Sequence, residues 1–170
     1  MIRSCSPRDA AAIARIYNHY VLHTVITFEE EPVSTGDMEG RIGDVTRTHP
    51  WLVCEQRGAV VGFAYARPWN VRSAYRHSVE VTIYLEPTVT GRGLGRPLYE
   101  ALLDAVDRRS IHRAVAGIAL PNEASVRLHE RLGFVKSGHL PEIGRKFERW
   151  IDVGYWVRAL PDAPHSHSST

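Results

Sequence analysis

The chain has 170 residues and a formal net charge of +2: enough length for one domain with a full core, and too little charge to point to nucleic acid. Two cysteines, Cys5 and Cys54, make no disulfide framework, so a reducing cytoplasm is the expected setting. No apolar run approaches the roughly 18 residues of a membrane span, and Met1-Ile-Arg-Ser-Cys5 leads straight into a helical pattern, so neither a membrane partner nor a secretory leader is expected.

In chain order, Ile2 to Ser4 reads as a short strand. Ser6 is the expected N-cap and Pro7 the first residue of a helix whose apolar positions Ala12, Ile13, Ile16, Tyr17 and Tyr20 recur at helical spacing. Thr24 to Phe28 is expected to be extended and to end at Glu29-Glu-Glu-Pro32; Ser34 caps a second helix through about Thr46. Trp51 to Glu55 and Ala59 to Ala66 form a hairpin about Gln56-Arg-Gly58. Pro68 to Tyr75 reads as a loop, Ser78 to Leu85 as a strand, and Pro97 to Arg108 as a helix with Leu98, Ala101, Leu102 and Ala105 on one face. Ala114 to Leu120 is a strand, and Asn122 caps a helix through Leu132 that Gly133 stops. Phe134 to Gly138 and Trp150 to Val157 are the last two strands. This order predicts a mixed α/β chain, one sheet covered by helices. Residues 1–160 are expected to be a single domain and 161–170 a disordered tail, whose His165 and His167 make too poor a ligand set for a metal, so none is expected.

The most informative stretch follows the strand ending at Leu85. Gly91, Gly93 and Gly95 lie between Glu86-Pro87 and the helix beginning near Arg96-Pro97. Glycines let backbone N–H groups converge on one point, and a helix N-terminus adds positive dipole, so strand, loop and helix together predict a phosphate or pyrophosphate site flanked by Arg92 and Arg96. The alternative is a tight strand-to-helix turn with no ligand. A P-loop would end in Gly-Lys-Ser/Thr where this chain has Arg96-Pro97, and the glycine spacing departs from the dinucleotide fingerprint.

Two motifs together resemble the GNAT-type N-acetyltransferase superfamily: the loop Thr90-Gly-Arg-Gly-Leu-Gly95, and Asn122-x-x-Ser125-x-x-Leu128-His129-x-x-Leu-Gly-Phe134. The resemblance implies a central, mostly antiparallel sheet with flanking helices. It also implies that Gly91, Arg92, Gly93, Leu94, Gly95 and Arg96 hold the pyrophosphate of acetyl-CoA. Thr90 stands where the family pattern has Gln or Arg, which removes one side-chain contact and leaves the backbone cradle. A narrower resemblance, to the phosphinothricin and methionine sulfoximine acetyltransferases, is carried by Tyr17-Asn-His-Tyr20, Thr27-Phe-Glu-Glu30, Tyr65-Ala-Arg-Pro-Trp69, Arg72-Ser-Ala-Tyr75, Val79-Glu-Val-Thr82, Leu120-Pro-Asn122, Leu128-His-Glu130 and Gly144-Arg-Lys-Phe-x-Arg-Trp-x-Asp152. Many superfamily members have a tyrosine where this chain has His129, and the histidine agrees with the narrower group.

From that resemblance follow expected roles. Glu80 is the general base, acting through a water; otherwise it is a strand glutamate paired with an arginine. The backbone of Ile83, Tyr84 and Leu85 meets the pantetheine arm and acetyl group and stabilises the oxyanion, unless it only serves the sheet. Asn122 bonds the arm or simply caps its helix. His129 protonates the leaving thiolate or relays the amine's proton, or is a buried, satisfied histidine. Arg72 binds the acceptor's α-carboxylate or is an exposed loop arginine, with Tyr75 lining the same pocket. Phe28 and Glu29 close over the acceptor, and Lys146 and Phe147 reach a neighbouring subunit's site in a homodimer. The implied reaction moves the acetyl group of acetyl-CoA to the α-amine of a small amino acid of phosphinothricin, methionine sulfoximine or arsinothricin type, as a resistance or detoxification step, with no metal. The alternatives are another amine, such as a protein N-terminus or a polyamine, or a non-catalytic acyl-CoA sensor.

Overall fold

A computed structural model describes residues 1–107 and 110–161. Seven strands form one sheet: β1 (Ile2–Ser4), β2 (Trp51–Gln56), β3 (Ala59–Pro68), β4 (Ser78–Leu85), β5 (Arg113–Leu120), β6 (Val135–Lys146) and β7 (Arg149–Ala159). Their spatial order is β1-β2-β3-β4-β5-β7-β6, antiparallel throughout except for the parallel pair β4–β5. Among the described residues four α-helices cover it: α1 (Ala10–His23), α2 (Thr35–Thr46), α3 (Gly95–Asp107) and α4 (Glu123–Arg131).

Alternation along the strands sends successive side chains to opposite faces. On β4, Val79 and Val81 enter a core shared with Leu98, Tyr99, Leu102 and Leu103 of α3, and Tyr84 joins the second core with Ile13, Ile16 and Tyr17 of α1 and Met38 and Ile42 of α2. Glu80 and Thr82 share Tyr84's face and line a cleft there.

The sequence predicts every one of these elements, and the differences have physical causes. Thr24 to Phe28 is not extended strand but a looped segment, because threonine hydroxyls offer the backbone local partners: Thr24 Oγ1 donates to Tyr20 O at 2.8 Å and accepts from Ile26 N–H at 3.1 Å, and Thr27 Oγ1 accepts from Glu29 N–H at 3.3 Å. The first helix opens with a 3-10 turn, Pro7–Asp9, before α1. β6 continues eight residues past the Gly138 end expected for it, to Lys146. It does so as an edge strand with register breaks at Lys136/Gly138 and Leu140/Gly144, the second of which houses Pro141, a residue tolerated at edges and bulges. The β6–β7 turn is Phe147-Glu148, with φ of 49° and 59°, the left-handed pair that a two-residue hairpin needs but without the Asn-Gly that advertises it. Arg108, the tail after Pro161, and with it His165 and His167, lie outside the described residues.

At the start of the sheet, Arg3 forks between two carboxylates. Its Nη1 and Nη2 donate to Asp9 at 2.9 and 2.8 Å, and its Nε donates to Glu55 at 3.0 Å. The Arg3 hydrogen bonds hold the buried Asp9 carboxyl at about 2. A depressed carboxyl pKa contributes stability above the unfolded value, near 4, and that contribution is lost as pH falls toward 2. Asp9→Asn should therefore erase a wild-type loss of roughly 1–2 kcal/mol between pH 5 and pH 2.5. Urea unfolding at the two pH values measures it; an identical pH dependence in both proteins would refute the assignment.

Candidate active site

β4 and β5 pair over three residues only: Ser78 with Arg113, Val79 with Ala114, and Glu80 with Val115. β4 runs on to Leu85 and β5 to Leu120 without meeting again. The sense of the orphaned backbone follows from the alternation of antiparallel pairing. Ala66 N–H donates to Pro50 O, on the β2 side, so Tyr65 and Phe63 bond toward β4, where Thr82 and Tyr84 stand opposite them. Ile83 and Leu85 therefore turn their peptide groups into the opening, of which, among the described residues, only the Leu85 carbonyl is taken, by Tyr20 Oη at 2.5 Å. Of the expected trio, Tyr84 bonds toward β3 and contributes its buried ring to the core instead.

Beyond Leu85 the chain makes one 3-10 turn, Pro87–Val89, and Thr90 closes it by donating its hydroxyl to Pro87 O at 2.8 Å. Gly91 and Gly93 have φ of 74° and 79°, a region that L side chains enter at a cost, and a Cβ built on either would meet nothing within 4 Å. The first helical bond of α3 is Leu98 N–H to Leu94 O, so the N–H groups of Leu94, Gly95 and Arg96 precede it, and Pro97 has none to offer. These open donors beside two left-handed glycines fit a pyrophosphate. Arg92 is exposed with no hydrogen-bond partner among the described residues; Arg96 is paired with Glu100 at 2.8 Å.

On the Glu80 face lies an open cleft of about 850 Å³. Arg67, directly across from Glu80 in the β3–β4 register, donates from Nε to Glu80 Oε2 at 2.6 Å. Glu80 Oε1 has no partner among the described residues, so one carboxylate oxygen is left for a proton or a water. Opposite, Glu29 takes two bonds from Arg41, at 2.7 and 3.0 Å, and one from Tyr17 Oη at 2.8 Å. Burial pushes the Glu29 carboxyl up, and Arg41 and Tyr17 more than offset it, so it sits below its ordinary value. Phe28, Glu29, Glu80 and Tyr84 are thus brought together. Tyr17, Thr27, Arg41, Tyr65, Arg67 and Thr82 join them without having been singled out for the cleft. Period-2 alternation from Glu80 identifies Thr82; Tyr17 and Arg41 come from helices and leave no such trace.

Other expected residues lie elsewhere. Arg72 and Tyr75 are exposed in and beside a 3-10 turn and do not line the cleft. Asn122 caps α4, its Oδ1 accepting from Ser125 N–H at 3.1 Å. His129 is buried, and its Nδ1 lies 2.7 Å from the Ser125 carbonyl, which can only accept, so Nδ1 carries the proton and Nε2 accepts from Tyr99 Oη at 2.9 Å. Burial lowers its pKa. Both nitrogens are thus hydrogen-bonded inside the protein. Lys146 is buried in its own chain, bonded to the Thr27 carbonyl, while Phe147 beside it is exposed. No cluster of three or more His, Cys, Asp or Glu side chains suited to a metal occurs among the described residues.

Residues 2–154 match the family model described as "Acetyltransferase (GNAT) domain". The phosphinothricin N-acetyltransferase of Streptomyces viridochromogenes is 40% identical over 165 residues, covering 96% of this chain and 90% of that protein. The L-methionine sulfoximine/L-methionine sulfone acetyltransferase of Salmonella typhimurium is 39% identical over 173 residues, covering 95% and 98%. A GNAT superfamily phosphinothricin acetyltransferase from Sinorhizobium meliloti, solved in complex with acetyl-CoA, superposes with a TM-score of 0.91 at 32% identity, covering 100% of this chain and 96% of that one.

Proposed function

The chain belongs to the GNAT acetyltransferase family, and on that premise we propose that it transfers the acetyl group of acetyl-CoA to the α-amine of a small amino acid of the phosphinothricin or methionine sulfoximine kind. The observation that carries this reading is the unpaired run of β4 beyond Glu80, with the Glu80 cleft at its start and the glycine loop following its end at Leu85.

Acetyl-CoA, when bound, supplies the thioester whose acetyl carbon the amine attacks. Gly91, Gly93, Gly95 and the first N–H groups of α3 hold its pyrophosphate, with Arg92 adding charge from the loop's outer side. The Ile83 and Leu85 N–H groups bond the pantetheine arm and the developing oxyanion, as an unpaired strand edge bonds any extended chain. Asn122, its Oδ1 committed to the cap, offers Nδ2 to the arm. Glu80 takes the amine's proton at Oε1, directly or through a water, while Arg67 holds Oε2 and so fixes the carboxylate plane; the tetrahedral adduct then breaks its C–S bond, and CoA leaves as a thiolate that takes a proton from solvent. Among the guanidiniums, Arg67 and Arg41 line the cleft and are the nearer candidates for the acceptor's carboxylate; Arg72 and Tyr75 reach it only if their loop folds inward. His129 holds Tyr99 and Ser125 rather than moving a proton.

Val135, Leu140, Ile143, Phe147 and Trp150 are exposed apolar side chains on the β6–β7 hairpin, a patch that supports a homodimer through this edge. The two cysteines are both free, in keeping with a cytoplasmic enzyme, and the substrate class fits a resistance or detoxification role. No helix among the described residues is long and apolar enough to cross a membrane.

Release of CoA thiol, followed with phosphinothricin, methionine sulfoximine, methionine sulfone and ordinary amino acids, tests the reading. We expect turnover with at least one of the first three, exceeding that with spermidine by at least about tenfold. Acetyl-CoA binding without turnover on any amine would replace the enzyme with an acyl-CoA sensor.

A further inference from the structure

The segment from Thr24 to Val33 carries Thr27, Phe28 and Glu29 over the cleft yet contains no helix or strand. Side chains hold it from two directions. On the α1 side, Tyr17 Oη bonds Thr27 Oγ1 at 2.7 Å, and Asn18 brackets Val33, donating to its carbonyl at 2.9 Å and accepting from its N–H at 2.8 Å. On the other side the contacts come from the β6–β7 hairpin, 119 residues away in sequence: Lys146 Nζ donates to Thr27 O at 2.8 Å. The Phe28 ring lies so close over Gly144 that a Cβ there would come within 2.0 Å of Cε2 and 2.5 Å of Cζ.

Lys146 is an unusual residue for this place. Only 2% of it is exposed, and lysines are almost never so buried without a strong partner. Its ammonium lies 5.1 Å from the Phe147 ring centroid, and its one hydrogen-bond acceptor among the described residues is a backbone carbonyl of a residue itself 8% exposed. An apolar side chain would fill the volume without the desolvation penalty, but would leave the Thr27 carbonyl unsatisfied. Thr27 is thus gripped twice, its hydroxyl by α1 and its carbonyl by the hairpin.

We propose that Lys146 is a positioning residue for the acceptor: with Gly144 receiving Phe28, its ammonium clamps the Thr27–Glu29 segment over the cleft from the β6–β7 hairpin. The proposal rests on the cleft being the acceptor site, and it gives a physical reason for a cation at this position that needs no neighbouring subunit. The clamp sets where Phe28 and Glu29 stand without touching the opening between β4 and β5, so it separates binding of the two substrates.

Lys146→Met removes the donor at similar volume, and Gly144→Ala evicts the Phe28 ring with Lys146 intact. For both, the acceptor KM should rise about tenfold, as expected for a buried carbonyl left without its partner or a displaced ring, with kcat and the acetyl-CoA KM within about twofold of wild type. Amide hydrogen exchange over residues 24–33 should accelerate in both variants and stay unchanged in β4 and α3. Equal rises in both KM values, or unchanged exchange over 24–33, would overturn the clamp. Exchange reads the clamp without catalysis, so it decides the matter even if wild-type protein acetylates none of the acceptors, a result that would sink the acetyl-transfer reading alone. Should Lys146→Met fail to fold, exchange in Gly144→Ala decides.

Discussion

Glu80→Gln should lower kcat by about 100-fold or more, the usual range for loss of a general base, while acetyl-CoA binds with unchanged affinity. Glutamine keeps the volume of the side chain and an oxygen that can still accept from Arg67 Nε, so the β3–β4 register and the cleft wall survive. What it removes is a carboxylate oxygen with no partner among the described residues, on the strand that borders the opening. The discriminating measurement is kcat beside acetyl-CoA affinity by isothermal titration: the variant should lose the first and keep the second. An unchanged kcat would remove Glu80 from the mechanism and leave it as Arg67's partner only.

Gly93→Val should raise the acetyl-CoA KM by about 100-fold, because a left-handed φ is unfavourable for any L side chain by about 1–2 kcal/mol and each misaimed N–H forfeits a charge-assisted bond of comparable size. At φ 79° the loop would relax away from its present path, and the N–H groups on either side would no longer converge. Since no atom lies within 4 Å of a Cβ built there, steric crowding is not the cause, and any loss of stability should not exceed that backbone cost of about 1–2 kcal/mol. Isothermal titration with CoA checks it; unaltered CoA affinity would show that the loop is a turn and not a phosphate cradle.

These two residues were also the most legible in the sequence, and for the same reason. The run Val79-Glu-Val-Thr-Ile-Tyr-Leu85 announces a strand through its β-branched residues, and the glycines that follow announce left-handed backbone; both are local properties of the chain. The GNAT fold was legible through motifs spread along that same local grammar. The cleft's other wall was not. Arg41 and Tyr17 enter it from helices whose spacing records only which face is apolar, and Glu29 meets them through a segment whose threonines replace a regular ladder. Arg72 looked suited to a carboxylate by charge and loop position, yet Arg67, five residues earlier on a strand, faces the cleft because register places it across from Glu80. Lys146 illustrates the limit most sharply: its partner is a carbonyl on a distant loop, and no periodicity encodes a tertiary hydrogen bond. The Phe147-Glu148 turn was hidden by composition, since two L residues hold dihedrals that the turn code assigns to Asn and Gly.

The short β4–β5 ladder has a thermodynamic consequence as well. A sheet joined across its middle by three residue pairs consists of two half-sheets, β1 to β4 and β5 with β7 and β6, held together chiefly by what packs on their faces. A ligand that lies along the unpaired edge of β4 supplies the hydrogen bonds that a neighbouring strand would have made, and so behaves as part of the fold. Folding and co-substrate concentration are then linked quantities: at 100 times its dissociation constant, such a ligand adds about 2.7 kcal/mol to the stability of the native chain. If the thioester lies along that edge as proposed, the protein is least stable when it is empty, and the supply of the thioester is a determinant of how long the folded protein lasts.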